Sequence, residues 1–153
     1  MNTTIDALKE RMALPAIAAP MFLVSGTEMV ISACKNGVMG SFPGTNARTI
    51  EDLRQWFEQI NASLTERDAP WACNMIAHSS YGRVDEELAL VEEYQPGLVI
   101  TALGGPHRVT AQVHAYGGLV FADVNSPSIA AFPLHAHFVI TWRNVPLSLD
   151  PAH

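Results

Sequence analysis

Positive charge is scarce in this sequence: nine Lys and Arg stand against fifteen Asp and Glu in 153 residues, a formal net charge of −6. That balance supplies no basic footprint for nucleic acid or for an anionic membrane surface. A small anion would have to be held by backbone N–H groups or a few local cations, not by the overall field. Cysteine is also sparse. Cys34 and Cys73 lie far apart and form no metal-ligand spacing, so the expected setting is reduced and cytoplasmic. No apolar run reaches the ~18 residues of a membrane helix. Asp6, Lys9, Glu10 and Arg11 interrupt the N-terminal stretch where a signal peptide needs continuous apolar residues. The dinucleotide fingerprint GxGxxG, the phosphate loop GxxxxGK[ST] and the GxSxG elbow are all missing.

What the chain does have is apolar content and rhythm. Hydrophobic residues make up 48% and charged residues 16%, enough for one domain with a sizeable core and too apolar for disorder. Short apolar runs alternate with amphipathic stretches from Leu14 onward. "LPAIAAPM", "GVMGSF", "PWACNMI", "LVITALGGP" and "LVFADVNS" read as strands. Between them "TEMVISACKNG" reads as a helix capped by Thr27 and stopped by Gly37. "NARTIEDLRQWFEQINASL" is capped by Asn46 or Thr49, with Ile50, Leu53, Phe57 and Ile60 forming one apolar stripe. "RVDEELALVEEYQPG" and "HRVTAQVHAYGG" supply two more helices. Strands alternating with helices predict βα units and a parallel sheet, and near-continuous apolar strands fit a sheet covered on both faces.

Polar and glycine residues follow each apolar run: Met21 to Ser25, Pro43 to Asn46, Asn74, Gly104 to Pro106, and Asp123 to Ser126. In parallel α/β folds this C-terminal rim is where ligands bind. Asn74 and Asp123 each have two readings, a group for a bound heterocycle or a polar side chain serving neighbouring backbone. Cys73 reads as a small buried filler, and Ser25 has no base beside it. His78 and His107 fall at strand exits. His135 and His137 would share one side of a strand, yet no third metal ligand accompanies them, so no metal site is expected.

"LPAIAAPMFLVSGTEMVISACKNGVMGSFP", "PWACNMI", "GLVITALGGP" and "GGLVFADVNS", in that order, resemble the nitronate monooxygenase family, also known as 2-nitropropane dioxygenases. The resemblance runs from about residue 14 to residue 125. It implies an FMN-dependent (β/α)8 TIM barrel, an oxidoreductase that oxidises alkyl nitronates with O2. It places Ala19, Pro20 and Met21 against the flavin, with backbone amides reaching ring heteroatoms, and matches Asn74 to an asparagine that hydrogen-bonds the ring. Asp123 falls where a polar residue approaches the cofactor. The flavin would perform the redox chemistry while the protein positions and tunes it.

The same resemblance defines what is missing. A barrel of this kind commonly takes ~250 residues, and its phosphate-binding loops follow the seventh and eighth strands. The expectation is therefore an incomplete barrel of about five βα units over residues 1–125, with weakened FMN binding. An atypical tail spans residues 126–153. That tail has prolines at 127, 133, 146 and 151, one arginine, one acidic residue and no helical stripe, and reads as out of frame or otherwise foreign to the family. The motif that carries the family's catalytic histidine has no counterpart there, so the catalytic residues are unknown and His135 and His137 are not assigned that role. An open half-barrel would expose a sheet edge through which two copies could associate. Two other functions stay open: a flavin-dependent enoyl reductase of the same architecture, and a non-catalytic half-barrel that serves in assembly.

Overall fold

In a computed structural model, which describes residues 5–123, the expected alternation is present. The elements run α1 (Ile5–Glu10), β1 (Ile17–Ala18), α2 (Thr27–Lys35), β2 (Met39–Pro43), α3 (Ile50–Ser63), β3 (Ala72–Ile76), α4 (Val84–Tyr94), β4 (Leu98–Ala102), α5 (His107–Ala115) and β5 (Leu119–Ala122). A single 3-10 turn, Gly44–Asn46, follows β2. Among the described residues the five strands form one sheet in the order β1-β2-β3-β4-β5, every pair parallel. Consecutive parallel pairing with a helix between successive strands curls the sheet into part of a (β/α)8 barrel.

Two apolar clusters divide the sheet's faces. Phe42, Cys73, Met75, Val99 and Val120 point outward, where Val30 and Cys34 of α2, Leu53, Phe57 and Ile60 of α3, Leu88, Leu90 and Val91 of α4, and Val109 and Val113 of α5 cover them. The alternate residues Met39, Ala72, Leu98, Leu119 and Phe121 pack with one another and with Leu8 of α1 on the inner face. Helix α1 therefore floors the half-barrel at the N-terminal ends of its strands. Its residues Ile5 and Leu8, one helical turn apart, join that inner cluster, as does Met12 just beyond the helix. The sequence reading treated this stretch only as a break in an apolar run and did not place a helix there.

Local chemistry fixes the boundaries. Of the two caps considered for α3, Thr49 is the one used. Its Oγ1 accepts from Asp52 N at 3.0 Å while the Asp52 carboxylate accepts from Thr49 N at 3.1 Å. Thr27 does not cap α2. It is the first helical residue, the preceding Gly26 holds the cap position, and no side chain donates or accepts there. Gly37 does stop α2, at φ +77 with Ala13 packed against it, a place where any Cβ would collide. At Gly40 the backbone of α2 comes so close that an added Cβ would lie 2.5 Å from the Val30 carbonyl oxygen. That approach seats α2 directly on β2.

Candidate functional site at the strand exits

Strand register puts the polar side chains named above on one surface. Pro43, Asn74 and Ile100 are register partners in sequence, and Ile100 pairs Phe121. Ile100 and Phe121 belong to the inner cluster, so Asn74 also faces inward, at the top layer of the half-barrel. Asp123 stands two residues beyond Phe121 and shares its face, its N–H bonded to Thr101 O at 2.8 Å. Strand spacing separates Asn74 and Asp123 by roughly 12 Å along this face. Ala19, Pro20 and Met21 leave β1 at the same rim. Asn125 and the His135/His137 pair lie outside the described residues.

The side chains at this rim are partly spoken for. Asn74 Nδ2 donates to Ile100 O at 3.0 Å, which orients the amide and turns its oxygen away from that bond. The amide nitrogen thus serves neighbouring backbone, the second of the two readings of Asn74. In the β1 exit loop Pro20 has no N–H, and Met21 N donates to Ser25 Oγ at 2.9 Å. Of the three exit residues, Pro20 thus has no backbone donor and Met21 has its own engaged within the loop. Ser25 is buried and structural: its hydroxyl also donates to Ala19 O at 3.4 Å. His78 sits exposed beyond β3, its Nδ1 2.7 Å from Ser80 Oγ, and His107 is the first residue of α5.

Two residues that sequence reasoning did not name as site residues organise the rim. Asn46 accepts from Leu23 N at 2.9 Å and donates to Met21 O at 3.0 Å and Ser25 O at 2.8 Å, so one side chain spans the whole β1 exit loop. Glu87 in α4 is 1% exposed. Its carboxylate accepts from Tyr81 Oη at 2.6 Å and lies 3.4 Å from Arg83 Nε, directly beneath Gly44. Burial pushes the Glu87 carboxyl above the usual carboxylate range, with the Tyr81 hydroxyl and Arg83 drawing it back. Burial, then the bond to Glu87, pushes the Tyr81 hydroxyl up. Arg83 also donates to Ala47 O at 3.0 Å and Arg48 O at 3.3 Å, clipping the start of α4 to the loop after β2. The sequence signal for Glu87 was a carboxylate inside the apolar stripe that Val84, Leu88 and Val91 define.

Cys73 is buried on the outer face, and burial holds its thiol well above the ordinary range. Cys34 and Cys73 are both free. Among the described residues there is no helix long and apolar enough to cross a membrane, and no group of three or more His, Cys, Asp or Glu that could hold a metal. A cleft of about 610 Å³ opens at the opposite, N-terminal end, lined by residues such as Leu8, Asn61, Trp71 and Tyr116. In barrels of this type that end carries stability, not chemistry.

These features define a partial parallel (β/α)8 barrel with an inward-facing amide at its C-terminal rim. Solved structures agree on the fold. FabK from Thermotoga maritima matches with a TM-score of 0.70 at 21% identity, over 85% of this chain and 40% of that one. The enoyl reductase domain of MlnA, from the macrolactin biosynthesis cluster of Bacillus amyloliquefaciens, matches with a TM-score of 0.70 at 19% identity, over 81% of this chain and 32% of that one. The chain thus spans about two fifths or less of the length of these structures. Comparison with protein-family models and with curated proteins found no match.

Proposed function

We propose that this chain is part of a flavin-dependent oxidoreductase that holds FMN at the C-terminal rim and oxidises alkyl nitronates with O2. The observation that carries the reading is the top layer of the inner face. There Asn74 presents an oriented amide oxygen beside the apolar side chains of Pro43, Ile100 and Phe121, with Asp123 further along the same surface. An apolar floor with a few convergent polar groups suits a flat heterocycle whose polarity is confined to its edge. The residues present fit the ring better than the phosphate: the loops after a seventh and an eighth strand, which the resemblance gives to the phosphate, have no counterpart among the described residues.

Asn74 would accept from an N–H of the ring edge, and Ala19 would contribute a backbone donor. Pro20 and Met21 would lie against the ring. Asp123 would set the charge beside the cofactor. When bound, FMN supplies the electron transfer. The chain's own residues place the ring and exclude water on the floor side through the Met39, Leu98 and Leu119 layer. Among the described residues β1 and β5 are the edges of the sheet, and a second copy would associate through such an edge.

A flavin-dependent enoyl reductase is the second reading, favoured by the fold match to the MlnA enoyl reductase domain. Two assays on the purified chain separate the readings. Saturable quenching of FMN fluorescence at micromolar protein supports a flavin site, and its absence overturns both. Oxygen uptake with an alkyl nitronate supports the first reading, whereas NAD(P)H consumption with an enoyl thioester supports the second. Flavin binding with neither activity supports the assembly role.

A further inference from the structure

The β1 exit loop exposes a run of apolar side chains that water should disfavour. Met21, Phe22, Leu23 and Val24 are 43%, 64%, 79% and 67% exposed. The backbone beneath them is tied down at several points. Ser25 Oγ takes the Met21 N–H and gives its own proton to Ala19 O. Asn46 takes the Leu23 N–H and gives both bonds of its amide nitrogen to Met21 O and Ser25 O. What the loop leaves exposed is apolar surface.

The backbone holds one further clue. Leu23 sits at φ +61, a left-handed conformation that a leucine adopts at a cost of about 1–2 kcal/mol. The Asn46 acceptor on its own N–H fixes it there. On the same rim Leu103, beyond β4, adopts φ +57 and is 70% exposed. Two strained leucines with outward side chains, on two loops at the same end of one barrel, are the pattern of a site shaped for an occupant.

We infer that Asn46 is a positioning residue for ligand binding, holding the Met21–Val24 loop in the one shape that lays its apolar surface against a ring bound over Asn74. The inference rests on the flavin reading. It assigns Asn46 no contact with the ring: Asn46 acts through the loop that it ties down.

The test uses the full chain, with Asn46→Ala and Asn46→Asp. Aspartate keeps the acceptor for Leu23 N–H and loses the two donor bonds. Amide hydrogen exchange reports the loop directly, and FMN fluorescence quenching reports the ligand. In Asn46→Ala the Leu23 amide should exchange at least about tenfold faster while α3 and β3 amides hold their rates, and FMN affinity should fall about tenfold. Asn46→Asp, whose second carboxylate oxygen would face the Met21 and Ser25 carbonyls, should move both readouts at least as far as Asn46→Ala. Unchanged exchange at Leu23 overturns the inference, as does a freed loop with FMN affinity within about twofold of wild type. Wild-type protein that fails to quench FMN removes the flavin reading itself, and this inference with it. Wild-type quenching with an unaffected Asn46→Ala removes the inference alone.

Discussion

Replacing Phe57 with alanine should cost about a third or more of the margin by which this fold is stable. The ring is fully buried and meets three aromatic neighbours: Trp71 at 5.0 Å between centroids, Tyr94 at 5.7 Å and Phe42 at 5.9 Å, all edge-on. Removing its apolar surface loses about 2.5 kcal/mol, taking ~100 Å² at 25 cal/mol per Å². Three lost edge contacts at the low end of ~0.5 kcal/mol each add about 1.5 kcal/mol. A partly collapsed cavity of ~40 Å³ adds about 1 kcal/mol. The sum, near 5 kcal/mol, sits at the top of the measured range of about 3–5 kcal/mol for Phe→Ala in cores. Against a total stability of about 5–15 kcal/mol, such a variant would be marginal. Urea unfolding followed by tryptophan fluorescence gives the number, because Trp71 lies against the site of change. Phe57→Leu, which fills most of the space, should cost clearly less. A loss under about 2 kcal/mol for Phe57→Ala at unchanged urea slope would refute the reasoning, showing that α3 closes over the gap.

Three other outcomes follow from geometry. Thr49→Ala should lose about 1 kcal/mol in urea unfolding, and Thr49→Ser should recover most of it, because the capping box needs only the hydroxyl. Gly40→Ala should destabilise by about 1–3 kcal/mol or more, since the new methyl meets helix backbone and no flexible side chain can give way; a neutral result in thermal melting would show that α2 slides freely on β2. Glu87→Gln should alter the pH dependence of stability. A buried carboxyl whose pKa is raised on folding stabilises fully below its unfolded value near 4.3 and loses that contribution as pH rises through the folded value. Wild type should therefore lose stability relative to Glu87→Gln between acidic and neutral pH, and parallel urea curves at the two ends would show that Arg83 and Tyr81 fully offset the burial.

Much of this architecture was legible because parallel βα units write a simple pattern. Apolar runs of four or five residues became β2 to β5, and the Ile50/Leu53/Phe57/Ile60 stripe became the buried face of α3. Asn74 was visible as a polar residue in an apolar strand, and the register later gave it an inward direction that sequence cannot supply. Helix α1 escaped notice because six residues flanked by charges carry little periodic signal. Asn46 and Glu87 escaped for a different reason. Asn46 was weighed as a cap for the helix that follows it, whereas its bonds reach back 21 to 25 residues to another loop. Glu87 looks like any helix carboxylate until packing places it under Gly44. Long-range polar contacts depend on which loops come together, and no local rule encodes that.

The clip made by Arg83 gives the rim an unusual mechanical character. The loop after β2 is grasped by α4 through Arg83, and in turn it grasps the loop after β1 through Asn46. Three successive units are thus joined hand to hand along one edge, each loop borrowing its shape from the next unit in the chain. Disorder at the start of α4 would travel backwards in sequence toward Leu23, and a ligand that stills Leu23 would quiet Arg83 as well. Ligand affinity would then respond to substitutions one or two strands away from anything the ligand touches.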